Sequence, residues 1–232
     1  MRDDDIQVIR SIPLFSTISN ENFTELLQLA QLIRFPAQAH LINEGDPADF
    51  LQILMEGTIE LFGASSGRET TVMVLRPVST YNLSAVLEDA TYLMSVRTLD
   101  DAKILMIPGN RVRTAMNVDS RFAHTMVTVL AERYRVLIRA FKEERLRTGL
   151  ERLANYLLSA NSQSLKTGQV VLTEDKRTLA ALLGMTPEYL SRAFTKLKKY
   201  GVEVQGNKII LKNLEALNRI AKPNPLIDRK II

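Results

Sequence analysis

Apolar residues in the first half of the chain follow two different spacings. Within residues 19–32, an apolar side recurs at helical intervals behind Ser19 or Asn20, either of which can cap a helix, and it comprises Phe23, Leu26, Leu27 and Ala30. From residue 33 to about residue 107, short alternating or wholly apolar stretches are separated by Gly and Pro turn signals about every ten residues. We therefore predict one helix followed by an antiparallel sandwich or roll of many short strands.

A second helical pattern is much longer and runs from Asp119 or Ser120 to Arg147, which corresponds to about 40 Å of helix. Two apolar stripes follow it. The first comprises Phe122, Met126, Val129, Val136 and Ala140, and the second, rotated by one position, comprises Val127, Leu130, Tyr134, Leu137 and Phe141. A helix that is apolar on two sides must bury both. One stripe is therefore expected to lie on the strand domain and the other to pair with a second copy.

The predicted contact between the two copies is the seam formed by Phe122, Met126, Val129, Arg133, Val136 and Ala140. The alternative is a central helix buried inside one monomer. Arg133 favours the dimer, because an arginine is tolerated better at a partly wet interface than in a core.

The last third of the chain carries a helix-turn-helix pattern. A helix at residues 150–161 and a short strand at 169–172 precede Asp175, which can cap a helix that ends at the turn of Gly184. Thr186 and Pro187 then suit the cap and first position of a second helix, which ends near Tyr200. Residues 202–211 predict a hairpin, or wing, turned on Gly206 and Asn207.

The second helix of this motif has an apolar side and a polar side. Its candidate DNA contacts are Thr186, Pro187, Glu188, Ser191, Arg192, Thr195, Lys198 and Lys199. Arginine can donate two hydrogen bonds to guanine, glutamate can accept from cytosine, and lysines suit phosphates. A solvated helix face with an ordinary Glu188–Arg192 pair is the alternative. The cap, the turn and the wing favour DNA.

The charge of the chain is divided unevenly. Residues 1–144 hold 14 Lys and Arg against 19 Asp and Glu, a balance of −5, whereas residues 145–232 hold 16 against 7, a balance of +9. A small basic domain suits the phosphates of nucleic acid. A membrane surface is the rival partner, but the basic residues are spread over several short elements. The longest run without charge has 13 residues, too short to span a bilayer, and a cytoplasmic protein is expected.

These motifs together resemble the Crp/Fnr family of bacterial transcription regulators. The stretches NEGDPADFLQILMEGTIELF and LAALLGMTPEYLSRAFTKLKKYGV are similar to the family's strand region and helix-turn-helix. The resemblance implies an α+β fold: a cyclic-nucleotide-binding-like β-roll (jelly-roll type), a long dimerisation helix and a C-terminal winged helix-turn-helix. The expected domains are residues 1–117, a helix and hinge at 118–148, and residues 149–232.

The resemblance also implies a function. It implies a homodimer that binds a palindrome of TTGA-like half-sites in double-stranded DNA through Glu188, Ser191 and Arg192, acts as an activator and contacts RNA polymerase. LGMTPEYLSRAF and SAVLEDATYLMSVRTL are similar to the nitric-oxide-responsive, NnrR-like branch, which implies control of denitrification genes.

The residues that bind cyclic AMP in this family are replaced in this chain. Family members that bind cyclic AMP carry a Gly-Glu pair and an Arg-Ser pair, but the corresponding residues here are Tyr81-Asn82 and Tyr92-Leu93, so cyclic AMP is disfavoured. Arg97 could replace the missing arginine, but an ion pair with Asp100 or Asp101 is the preferred prediction.

Among cofactors, an iron–sulfur cluster needs cysteines, and the chain has none. Haem stays open, with His40 and His124 as candidate ligands and Met94 or Tyr92 as weaker second ligands.

Two other function classes were weighed. Catalytic motifs are absent, so no enzyme is expected. A cyclic-nucleotide-binding regulatory subunit that acts on a protein partner is the alternative to a transcription factor, but it would not need a helix-turn-helix.

Overall fold

A computed structural model describes residues 3–163 and 167–228 of the chain. These residues form two compact units, divided between Glu132 and Arg133, each with its own hydrophobic core. Among the described helices, none is both long enough and apolar enough to cross a membrane.

The first unit is built from two four-stranded antiparallel sheets. Its strands are β1 (Gln31–Phe35), β2 (His40–Ile42), β3 (Phe50–Glu56), β4 (Ile59–Ser65), β5 (Arg68–Leu75), β6 (Ser79–Tyr81), β7 (Ser95–Thr98) and β8 (Ala102–Pro108). One sheet has the order β1-β8-β3-β6 and the other β2-β7-β4-β5. Both sheets contribute buried side chains to one core, for example Ile53 from β3 and Leu61 from β4. The predicted roll of short strands is confirmed.

Helices flank these sheets. They are α1 (Asp3–Arg10), a 3-10 turn (Pro13–Phe15), α2 (Asn20–Leu27), α3 (Leu83–Glu88), α4 (Gly109–Val118) and the start of α5 (Ser120–Leu146). Ser19 caps α2 as predicted, because its hydroxyl accepts a hydrogen bond from the Asn22 N–H. The helix ends at Leu27 rather than residue 32, since β1 begins at Gln31 and pairs with β8. Helix α1 was not predicted.

Helix α5 has the predicted bounds, but its two stripes are placed differently from the prediction. Phe122 and Met126 are fully buried in the core of the first unit, where the Phe122 ring stacks on Phe15 at 6.3 Å between centroids. Their side chains are not available to a second copy, so assigning these two residues to the dimer seam is wrong. Val129 packs partly against the same core. Further along, Arg133, Val136 and Ala140 are exposed.

The second stripe of α5 is the more exposed one. Tyr134 and Leu137 are each 64% exposed, Val127 is 60% exposed and Phe141 is 53% exposed. Periodicity separates the two stripes but does not say which one the strands cover.

The second unit contains the end of α5 and a small helical domain with a three-stranded sheet. Its further elements are α6 (Gly149–Gln163), β9 (Gln169–Val171), α7 (Lys176–Leu182), α8 (Pro187–Leu197), a 3-10 turn (Lys198–Tyr200), β10 (Val202–Gln205), β11 (Lys208–Leu211), α9 (Leu214–Ala221) and α10 (Pro225–Asp228). The sheet order is β10-β11-β9, all antiparallel. The core is formed by α6, α7, α8, α9 and this sheet.

Candidate nucleic-acid interface

The helix-turn-helix is formed by α7 and α8, and side-chain caps start both helices. Asp175 accepts a hydrogen bond from the Thr178 N–H at 2.8 Å, and the Thr186 hydroxyl accepts one from the Tyr189 N–H at 3.2 Å. Pro187 occupies the first turn of α8, where its missing N–H costs no helical hydrogen bond. These local signals set where the second helix begins.

The turn between the two helices depends on Gly184. Its φ of +59° lies in the left-handed region, which is strained for residues with a side chain. The chain therefore turns at Gly184, directly after the end of α7, and α8 begins three residues after Gly184, at Pro187.

Helix α8 buries one side and exposes the other. The buried side comprises Leu190, Ala193, Phe194 and Leu197, which join the core of the second unit. All eight predicted contact residues are exposed: the cap Thr186, then Pro187, Glu188, Ser191, Arg192 and Thr195 on α8, and Lys198 and Lys199 in the following 3-10 turn. Lys196 and Tyr189 are also exposed, although neither was among the predicted contacts. The arrangement leaves a carboxylate, a guanidinium and several ammonium groups open to a partner.

Neighbouring residues set the protonation of Glu188 and the hydrogen bonding of Ser191 on this exposed side. The pKa of Glu188 is lowered, first by a hydrogen bond from its own N–H, then by one from the Thr186 hydroxyl and by the charge of Arg192, so it is ionised at neutral pH. Ser191 donates its hydroxyl to the Pro187 carbonyl at 3.0 Å. Its free lone pairs can then accept from a base amino group. The Arg192 guanidinium lies 5.9 Å from the centre of the Tyr189 ring.

The predicted wing is present as the hairpin of β10 and β11. Gln205 pairs with Lys208 across the turn, and β9 extends the sheet on the far side of β11. Lys208 is exposed, whereas Lys212 forms an ion pair of 2.5 Å with Glu203. Lys208 is therefore the better placed of the two lysines to meet a phosphate.

The predicted cofactor region lies around α3 in the first unit. Of the residues that correspond to the two nucleotide-binding pairs, Tyr81 and Tyr92 are buried, whereas Leu93 is 78% exposed. The Tyr81 hydroxyl donates to Gln52 and the Tyr92 hydroxyl to the Phe50 carbonyl, and burial raises the pKa of both phenols.

One amide in this region is not satisfied. Asn82, which precedes α3 with a φ of 55°, has a buried side-chain nitrogen that donates to no described residue. An acceptor atom of a ligand would satisfy this buried donor.

The partners of Arg97 differ from the prediction. It pairs with Glu60 at 2.6 Å and Glu69 at 2.8 Å, not with Asp100 or Asp101, because β4 and β7 place Glu60 directly opposite Arg97. The guanidinium also lies 4.4 Å from the centre of the Phe62 ring. With two carboxylates already bound, Arg97 is a poor replacement for a phosphate-binding arginine.

The structure places both candidate haem ligands at exposed positions of the first unit. His40 lies exposed on β2, 5.8 Å from the Phe62 ring, and His124 lies exposed on α5. Neither imidazole is buried within the single chain, so haem ligation by His40 or His124 stays a prediction. No group of metal-ligating side chains occurs among residues 3–163 and 167–228.

Two family models match the chain. Residues 32–119 match the cyclic nucleotide-binding domain and residues 151–220 match the Crp-like helix-turn-helix domain. A curated relative, the "CRP-like cAMP-activated global transcriptional regulator" of Mycobacterium tuberculosis, is 19% identical over 93% of this chain and 99% of its own.

Solved structures share the fold. A Crp/Fnr-family regulator from Eubacterium rectale superposes with a TM-score of 0.72 at 18% identity, covering 91% of this chain and 99% of that one. FixK2 from Bradyrhizobium japonicum gives 0.69 at 20% identity, covering 83% and 97%. With a cyclic nucleotide-binding domain followed by a long helix and a Crp-like helix-turn-helix, this chain belongs to the Crp/Fnr family of DNA-binding transcription regulators.

Proposed function

We propose that the protein acts as a homodimer on a palindromic operator with TTGA-like half-sites, with one α8 helix in each half-site. The observation that carries this proposal is the exposed side of α8, where Glu188, Ser191 and Arg192 face solvent while the opposite side is buried. Such a helix can enter the major groove, because its core contacts hold it from the other side.

Base chemistry assigns the roles within a half-site. The fork of Arg192 donates to O6 and N7 of the guanine, and Glu188 accepts from N4 of the paired cytosine. Ser191 contacts the neighbouring T·A pair, where its free lone pairs can accept from the adenine amino group, while Lys198 and Lys199 contact phosphates. Both ionic readers thus meet the one G·C pair of a TTGA half-site.

The dimer contact is proposed for the exposed stripe of α5. Two recognition helices must lie about one turn of DNA apart, ~34 Å, which requires a two-fold axis between them. Val127, Tyr134, Leu137 and Phe141 provide an apolar stripe that a second copy can cover. RNA polymerase is the further partner proposed for an activator of this kind.

The signal is proposed to be neutral rather than a cyclic nucleotide. Tyr92 and Leu93, in place of the Arg-Ser pair, and the engaged Arg97 leave a cyclic phosphate without a cationic partner, and the Asn82 amide offers a neutral donor instead. Nitric oxide, in control of denitrification genes, is the first signal to test. The test compares operator affinity and the absorption spectrum of anaerobic protein before and after nitric oxide is added.

Selection from random duplex DNA tests the DNA-binding proposal. The purified full-length protein should enrich palindromes of TTGA-like half-sites, and Arg192→Ala should not enrich them. Enrichment of single sites, or of no sequence, would contradict a dimer on a palindrome.

A further inference from the structure

The chain changes direction between α5 and α6, and a capping box marks the change. Helix α5 ends at Leu146 and α6 begins at Gly149. The Thr148 N–H donates to the Glu151 carboxylate at 2.8 Å, and the Glu151 N–H donates to the Thr148 hydroxyl at 3.3 Å. Helix α6 is therefore a new helix, and something other than helical continuity must hold it to the end of α5.

Arg152, in the first turn of α6, makes that connection. Its Nη1 donates to the carbonyls of Arg147 at 2.8 Å and Glu144 at 3.3 Å, at the end of α5. Its Nε donates to the Leu183 carbonyl at 2.7 Å and its Nη2 to the Gly184 carbonyl at 3.0 Å, at the turn of the helix-turn-helix. One guanidinium thus joins the C-terminal ends of α5 and α7.

Electrostatics favours this arrangement. The last carbonyls of a helix have no partner within the helix and carry partial negative charge. Arginine presents its donors as a rigid planar fork, so it can satisfy several of these carbonyls in one fixed geometry. A lysine can supply the charge but not the fork.

A second contact joins the same two regions. A Cβ added to Gly149 would lie 2.6 Å from Cε1 of Tyr189, so the tyrosine ring packs directly on the first residue of α6. Tyr189 belongs to the first turn of α8. The start of the recognition helix therefore contacts the junction that Arg152 ties together.

The geometry points to Arg152 as a positioning residue for DNA binding, which fixes the helix-turn-helix to the end of α5 and thereby sets the separation of the two recognition helices in the dimer. This inference rests on the proposed dimer on a palindrome. A fixed pair of helices accepts one separation of half-sites. A loosened pair should accept several, while each helix still recognises its own half-site.

Spacing selectivity provides the test, since a merely structural role would not change it. The measurement is the affinity of the protein for four DNA duplexes. They are the operator selected by the full-length protein, two versions with one base pair more or one fewer between the half-sites, and a single half-site. The parent protein should bind the altered operators about a hundredfold more weakly, because both half-sites can no longer be occupied together.

The variants are Arg152→Met, Arg152→Lys and the control Arg219→Met. Arg219 lies 73% exposed on α9 and pairs only loosely, at 3.8 Å, with Glu215, so this control removes an equal charge from the same unit. Arg152→Met and Arg152→Lys should bind the three operators within about threefold of one another. Arg152→Met should bind the single half-site with the same affinity as Arg219→Met, because each has lost one positive charge. Arg152→Lys should bind it with the same affinity as the parent protein, because its charge is kept.

Three results would overturn the inference. Parent-like spacing selectivity in both Arg152 variants would remove the positioning role alone and leave the proposed function intact. Loss of half-site binding in Arg152→Lys, with its charge retained, would assign Arg152 to the fold of the domain. A parent protein that selects no palindrome would overturn both this inference and the proposed function.

Discussion

Asp119 is a single carboxylate that holds the starts of two helices. One oxygen accepts from the Ser19 N–H at 2.9 Å and from the Asn22 side chain at 3.2 Å, at the beginning of α2. The other accepts from the N–H groups of Arg121 and Phe122, in the first turn of α5. The Ser19 N–H, followed by the Asn22 amide, lowers the pKa of Asp119 to about 2.

This carboxylate should make the stability of the first unit depend on pH. The folded pKa lies below the usual value, so the stabilisation is present above about pH 4 and is lost as the pH falls toward 2. Asp119→Asn should lower the melting temperature at pH 7, and the difference from the parent should shrink at pH 3. Thermal melts followed by circular dichroism measure this, with the exposed Asp49→Asn as control. A pH-independent difference would contradict the assigned hydrogen bonds.

Arg192 on α8 and Lys199 in the 3-10 turn that follows should contribute to DNA binding in different ways. Arg192→Ala should cost about 1–3 kcal/mol on the selected operator and flatten the preference for its G·C pair. Lys199→Ala should weaken binding to all sequences alike and lower the slope of log K against log salt by about one. Fluorescence anisotropy over a range of salt concentrations separates the two roles. Equal losses on operator and random DNA for Arg192→Ala would remove it from base recognition.

At the scale of elements, the exposed stripe of α5 carries the dimer prediction. Tyr134→Glu with Leu137→Glu should yield monomers, because two charges would enter an apolar contact. The matched control, Thr128→Glu with Arg135→Glu, adds acidic groups to exposed positions on the opposite side of α5 and should stay dimeric. Sedimentation velocity distinguishes the states. If the Tyr134 and Leu137 variant remains a dimer, another surface joins the copies.

Elements defined by local signals could be predicted from the sequence. Asp175 and Thr186 each cap a helix through an N–H three residues further on, so the evidence for α7 and α8 lies within four consecutive residues. The hairpin turn at Gly206 and Asn207 is equally local. The fold class and the exposed side of α8 followed from such signals.

Contacts between distant residues could not be predicted. Periodicity places Phe122 and Met126 on one side of α5, but only the packed strands and Phe15 decide that this side is internal. Arg97 finds Glu60 through the pairing of β4 with β7. Arg152 donates to main-chain carbonyls up to 32 residues away. Because every residue has a main-chain carbonyl, the sequence does not indicate which one an arginine will contact.

At the scale of the whole molecule, a domain of the cyclic nucleotide-binding family carries Tyr92 and Leu93 where cyclic AMP-binding relatives carry an Arg-Ser pair, and we propose that it does not take cyclic AMP. We expect calorimetry of the full-length protein with high micromolar cyclic AMP to show no binding heat, and operator affinity to stay unchanged. The reason is the missing charge-assisted pair to the phosphate, which contributes about 1.5–3 kcal/mol. A purified regulator that is activated by cyclic AMP, titrated in the same calorimeter under the same conditions, is the positive control. Submicromolar binding would show that another cation replaces the arginine.

The ion pair between Arg147 and Asp228 limits how the DNA-binding part can be cut from the molecule. Nη1 and Nη2 of Arg147 donate to Oδ1 and Oδ2 of Asp228, each at 2.6 Å. Arg147 lies two residues before the start of α6. Burial disfavours the charged form of Asp228, but the hydrogen bonds from Arg147 and the Asn224 N–H keep its pKa below the usual value. A fragment grafted onto another sensor from Gly149 onward would leave this carboxylate without its bidentate partner. Such a graft should begin no later than Glu143, which also contacts Arg147.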